Sequence, residues 1–129
     1  GARAMIRLLL ALLLLSAWPA QAESLLTPDV FEALTAGKTV RYSDGQEEQF
    51  LPGRRVVLRL SESDACTRGH WYGSGDLICF AYEGDDWQHC WLVHNTTKGI
   101  RFRGLLGDES FITRMTDAPL DCPGPYLGS

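Results

Sequence analysis

From residue 38 onward, apolar and polar side chains alternate in short runs that end at glycine, proline, asparagine, aspartate or serine. Alternation of this kind marks strands with one buried face. The pattern predicts strands over Lys38–Tyr42, Gln49–Leu51, Arg54–Leu60, Arg68–Tyr72, Leu77–Tyr82, Trp87–His94 and Gly99–Arg103, with a last one near Phe111 and Ile112. Arg54–Leu60 is the clearest: Val56, Leu58 and Leu60 share one face, and Arg55, Val57 and Arg59 the other. Ser43-Asp44-Gly45, Pro52-Gly53, Ser61–Ala65, Gly73-Ser74-Gly75, Glu83–Asp86 and Asn95–Lys98 are the breaks. The tail, with Pro119, Pro123, Gly124 and Pro125, reads as irregular.

Connections this short leave no room for crossover helices, so neighbouring strands pair antiparallel. The expected architecture is mainly β: an up-and-down meander forming a small barrel or sandwich, preceded by one short N-terminal helix. That helix falls within residues 23–37. Thr27 is its candidate N-cap, Pro28 its first residue, Asp29 complements the positive end, and Gly37 stops it. Val30, Phe31 and Leu34 share one face at helical spacing. Trp71, Tyr72, Phe80, Tyr82, Trp87 and Trp91 cluster in the middle of the chain and are expected to dominate the core.

One pairing register can be derived. If Leu77–Tyr82 and Trp87–Val93 form a hairpin closed by Glu83-Gly84-Asp85-Asp86, then Tyr82 faces Trp87, Phe80 faces His89, Ile78 faces Trp91, and Cys79 faces Cys90. Opposed cysteines on a close, non-hydrogen-bonded pair can be bridged. The four cysteines then resolve into Cys79–Cys90 and, by elimination, Cys66–Cys122.

The first residues change where this domain is expected to work. Arg3 and Arg7 precede the run Leu8–Leu15, followed by Ser16, Trp18, Pro19 and Ala20-Gln21-Ala22. That is a positive segment, an apolar segment and a small-residue cleavage site, the form of an export signal over residues 1–22 with Met5 as its start. The apolar run is shorter than the about 20 residues a membrane span needs. Residues 23–129 would then form one disulfide-stapled β domain in the periplasm or outside the cell. Arg3 and Arg7 are two of the 12 basic residues, and all 16 acidic ones lie after position 22, so residues 23–129 carry a net charge of −6. This balance argues against a nucleic-acid partner, and Arg101-Phe102-Arg103 reads as one buried ring between two outward arginines.

No catalytic constellation emerges. Cys66, His70, Cys79, His89, Cys90 and His94 do not show the short paired spacing of zinc sites, and disulfides account for the cysteines. Gly73-Ser74-Gly75 is too short for a nucleophile elbow. Glu83, Asp85 and Asp86 fall in a hairpin loop without a calcium-loop pattern. Neither a metal nor a cofactor is expected.

Gly37-Lys38-Thr39-Val40, Gly69-x-Trp71, Leu77-x-Cys79-Phe80 and Cys90-Trp91, spread over about half the chain, resemble a family of small exported alphaproteobacterial proteins known as a domain of unknown function (DUF995). The resemblance implies export and carries no catalytic residue. A looser likeness, in Gly-x-Trp and a disulfide, is to periplasmic protease inhibitors of the small β-barrel type, whose inhibitory N-terminal segment has no counterpart here. The expectation is a non-enzymatic binding module for an envelope protein, a glycan or a small molecule, with inhibition of an envelope hydrolase as one form. Its candidate contact residues are His70, Trp71, Tyr72, Trp87 and His89. The alternatives are a small enzyme or metal protein using His70 and His89, and a structural envelope protein tethered by its N-terminal segment.

Overall fold

A computed structural model describes residues 23–61, 63–124 and 126–127. The predicted export signal, residues 1–22, lies outside them. The elements are β1 (Ser24–Leu25), α1 (Pro28–Thr35), β2 (Thr39–Tyr42), β3 (Glu47–Leu51), β4 (Arg55–Arg59), β5 (Cys66–Ser74), β6 (Leu77–Tyr82), β7 (Gln88–Thr96), β8 (Gly99–Gly104), β9 (Glu109–Thr116) and β10 (Tyr126–Leu127). Each of β2 to β8 pairs antiparallel with the next, and β9 returns to pair with β2, with Thr39 opposite Thr116. The meander is therefore a closed eight-stranded barrel. Closure leaves its eight strands without a free edge along their paired length.

The β6–β7 register is the one derived from the hairpin: Ile78 opposite Trp91, Cys79 opposite Cys90, Phe80 opposite His89 and Ala81 opposite Gln88. The disulfides are Cys79–Cys90, with Cα atoms 4.0 Å apart, and Cys66–Cys122. The first spans two neighbouring strands on the outer face. The second ties the start of β5 to the tail.

Strands β5 and β7 outrun β6 at opposite ends, and the short outer strands use what is left over. On β7, His94 and Asn95 lie beyond the last residue paired to β6 and accept β1, with Ser24 opposite Asn95. On β5, Cys66 and Thr67 lie before the first residue paired to β6 and accept β10 in parallel. The tail, expected to be irregular, thus adds a two-residue strand. Glu23, just before β1, makes a bidentate ion pair with Arg101 of β8 at 2.7 and 2.8 Å.

The barrel interior is apolar at one end because the helix fills it. Thr27 caps α1 through its hydroxyl, Pro28 opens it, and the chain leaves through Gly37 at φ 77°. Phe31 points straight into the barrel, is 0 % exposed, and packs edge-on against Phe50, Trp71, Phe80 and Phe102. Thr35 is buried with it, whereas Val30 and Leu34 are exposed. The inward face is thus the one carrying residues 31 and 35, four apart, and not the one carrying Val30 and Leu34. Gly73 makes the seat for the helix, since a Cβ there would collide with the Pro28 ring. Arg54, in the β3–β4 turn, fastens it from outside: its guanidinium pairs with Glu32 (2.8 Å) and Asp29 (3.0 Å) and lies 4.5 Å from the Trp71 ring centre.

The aromatic core differs from the expectation in two members. Trp87 is 77 % exposed, because β7 begins at Gln88 and leaves it in the β6–β7 connection. Tyr72 lies on the outer face, where its hydroxyl donates to Gln88 of β7. Its ring must therefore cross β6 over Cys79 and Ala81, which accounts for Cys79 being buried on an outward face.

Truncating a fully buried ring costs about 3–5 kcal/mol, and an exposed one little. Urea unfolding is expected to show that loss for Phe31→Ala and under about 0.5 kcal/mol for Trp87→Ala. With closed loops of 56 and 11 residues, paired Cys→Ala replacement of Cys66–Cys122 is expected to cost about 4 kcal/mol and of Cys79–Cys90 about 3 kcal/mol.

Candidate functional site

The end of the barrel away from α1 has no plug among the described residues. It opens into a cavity of about 560 Å³ ringed by the β2–β3, β4–β5, β6–β7 and β8–β9 connections. Strand alternation supplies the walls. Tyr42 of β2, Glu48 of β3, Leu58 of β4, Thr67 of β5, Phe80 and Tyr82 of β6, His89 and Trp91 of β7, Phe102 of β8 and Ser110 of β9 face it. Leu60 and Leu127 add apolar surface at the mouth, and Asp44, Glu83 and Asp85 add carboxylates. No lysine or arginine lines it among the described residues.

Glu48 is the anomaly. It is 1 % exposed inside an apolar barrel, and its ladder partners are Val40 and Leu58. Two hydroxyls hold it: Tyr42 donates to Oε1 at 2.5 Å and Tyr82 donates to Oε2 at 2.6 Å. Burial pushes the Glu48 carboxyl up to about 7, and the two tyrosine hydrogen bonds only partly oppose this. Burial, with the neighbouring Glu48 second, likewise raises Tyr42 and Tyr82 well above the ordinary phenol, so both stay donors at neutral pH. Gly69 makes room for the Tyr82 ring: a Cβ there would approach Tyr82 Cδ1 to 2.7 Å and collide with the Ala81 carbonyl. The glycine two residues before Trp71 thus serves the position of a tyrosine hydroxyl.

At the mouth, Asp85 Oδ2 meets His89 Nε2 at 2.8 Å, and Asp85 Oδ1 accepts the Trp87 backbone N–H. The His89 hydrogen bond, then that of Trp87, holds the Asp85 carboxyl below its usual range. The pair presents an oriented imidazole to the cavity, able to exchange a hydrogen bond with a molecule inside it. Trp87 itself, with Leu105 and the 99 % exposed Leu106 of the β8–β9 tip, decorates two neighbouring hairpin tips on this side of the barrel.

Of the five candidate contact residues, only His89 lines this cavity. Trp71 is in the core beneath the helix. His70 and Tyr72 lie on the outer face of β5, their ring centres 6.1 Å apart. The outer groove that His70 lines, with Arg55 and Arg68, is separate from His89. The structure therefore does not bring His70 and His89 into one site, because they stand on opposite faces of the barrel wall. Among the described residues no group of three or more His, Cys, Asp and Glu is placed to hold a metal, and no helix is long and apolar enough to cross a membrane. Both disulfides suit an oxidising compartment.

Sequence reasoning missed Glu48, Tyr42 and the cavity. The signal was present: Val40 and Tyr42, then Glu48 and Phe50, keep one face in phase across the β2–β3 hairpin, which places a carboxylate among apolar positions. The strand was expected to start at Gln49, one residue too late to show it. The chain matches no protein-family model, no curated protein and no solved structure.

A carboxyl whose folded pKa lies above its unfolded one contributes stability below the unfolded value and loses it as pH rises through the folded value. With about 7 folded against 4.5 unfolded, that contribution is roughly 3 kcal/mol. Urea unfolding of the native protein and Glu48→Gln is expected to show the native losing this much relative to the variant between pH 4.5 and 8. A difference that does not change with pH contradicts the assignment.

Proposed function

We propose that this is an exported, non-enzymatic binding module that takes a small, largely apolar molecule into the open end of its barrel. The observation that supports the reading is the asymmetry of the interior. Phe31 closes one end with four ring contacts, while the other holds about 560 Å³ with apolar walls and a few converging polar groups. Sites for small molecules have this size and make-up, about 300–1,000 Å³, mostly apolar, with a small number of placed hydrogen-bonding groups. Eight strands also enclose about the interior that holds one small ligand when side chains do not fill it.

Of the three partner classes the sequence suggested, this cavity favours the small molecule. A glycan is recognised on flat exposed rings, and here Phe80 and Phe102 are buried, Trp91 is half-buried, and the exposed Trp87 stands apart from them in the β6–β7 connection. The exposed Trp87 and Leu106 flank the mouth and offer an apolar approach to it. The export-signal pattern of residues 1–22 and the two disulfides support a periplasmic or secreted site of action. The resemblance to the exported alphaproteobacterial family is in keeping with this.

A neutral apolar fluorophore such as N-phenyl-1-naphthylamine is expected to bind with one site per chain and a blue-shifted emission. Ser110→Trp, which places a large ring at the mouth, is expected to weaken that binding at least tenfold. Absence of saturable binding by the native protein contradicts the reading.

A further inference from the structure

We infer that the ligand of this cavity carries a protonated amine, which Glu48 receives at the floor while the apolar body of the ligand fills the barrel above it. The inference rests on the reading of the cavity as a ligand site and specifies what enters.

Three observations point to a cation. The first is the state of Glu48. Each of its oxygens accepts one tyrosine hydroxyl and keeps acceptor capacity for another donor, since an ionised carboxylate offers about four lone-pair positions. Neither Tyr42 nor Tyr82 brings positive charge, and among the described residues no lysine or arginine lines the cavity. A buried carboxylate is ordinarily matched by a cation, and among the described residues no cation faces Glu48. The second is the company of rings. Tyr42, Tyr82, Phe80, Trp91 and Phe102 surround the same space, and aromatic faces attract an ammonium group. The third is the mouth, where Asp44, Glu83 and Asp85 set a negative field across the path inward. The same three features disfavour a fatty acid or other anion, whose charge would face Glu48 and the mouth carboxylates with no lysine or arginine among the described lining residues to offset it.

The ammonium donates to the free lone pairs of Glu48 and stabilises its ionised form, so Glu48 releases its proton as the ligand binds. The groups facing Glu48 are Tyr42 from β2 and Tyr82 from β6. Asp44, Glu83, Asp85 and His89 complete the ionisable lining of the cavity. Both tyrosines stay protonated, held up by burial. The affinity for an amine therefore falls as Glu48 takes up its proton, whereas the affinity for a neutral molecule of the same shape does not depend on that charge.

The test uses three probes of one shape on the native full-length domain: octylammonium, 1-octanol and octanoate, by titration calorimetry at pH 8 and pH 5.5. At pH 8 octylammonium is expected to bind at least tenfold more tightly than 1-octanol, with octanoate weakest. At pH 5.5, where the amine keeps its charge and Glu48 is protonated, the preference for amine over alcohol is expected to shrink to less than threefold. The same collapse is expected in Glu48→Gln at pH 8. Repeating the pH step in His89→Gln, where the collapse must persist, assigns it to Glu48. Near pH 7, octylammonium binding is expected to release part of a proton, read from the dependence of the heat on buffer ionisation. If 1-octanol and N-phenyl-1-naphthylamine bind but octylammonium gains nothing over the alcohol at pH 8, the cation inference is overturned and the binding reading stands. An amine preference that persists at pH 5.5 also overturns it. If no probe binds, both fall together.

Discussion

A carboxylate held inside an apolar barrel by two tyrosine hydroxyls is the interaction on which the open half of this protein depends. Burial makes the charged form of Glu48 costly, and two neutral donors offset that cost only in part. The group is left poised between its two protonation states near neutral pH. An apolar side chain at position 48 would pack against Val40 and Leu58 without this conflict. A carboxyl perturbed by burial at the edge of a cavity is a candidate functional group.

The rest of the molecule holds that group in place. The turn between β2 and β3 sets Tyr42 beside Glu48, and β6 brings Tyr82 to the other oxygen from across the barrel. Gly69 on the intervening strand lets the Tyr82 ring lie close. At the far end the helix and Arg54 shut the barrel on Phe31, so a molecule entering through the mouth meets a floor and not a channel. The Cys79–Cys90 bridge, under the Tyr72 ring, staples the strand that carries Tyr82 to the one that carries His89 and Trp91. Stability at one end and a binding space at the other are two consequences of how eight strands and one short helix divide a single interior.

Much of this was legible in the sequence wherever a period was long enough to read. The alternation of β4 and the spacing of the β6–β7 hairpin gave strands, register and both disulfides, because a two-residue period and a four-residue loop admit few solutions. Strands of two residues carry no period, so β1 and β10 were invisible and only the barrel's spare edges on β7 and β5 create them. Phe31 was visible as an apolar helix residue, but a helix of eight residues does not settle which of two adjacent faces turns inward. Trp87 was misplaced because side-chain size suggested burial, whereas strand β7 starts one residue later. The site itself was obscured by chemistry. Glu47-Glu48-Gln49 looks like a polar turn flank, and only the closed barrel shows that the middle residue points inward.

The ionisation of Glu48 is the property of this barrel that can be measured most directly. Carbon-detected NMR of the glutamate side-chain carboxyls, with Glu48→Gln used for assignment, follows each group through a pH titration of the folded protein. The Glu48 resonance is predicted to titrate near pH 7, well above the ordinary glutamate value of 4.5, and to shift to lower pH when an amine is present. A Glu48 carboxyl that titrates near the ordinary glutamate value of 4.5 would mean that it is solvated or otherwise paired, and would contradict its burial between Tyr42 and Tyr82.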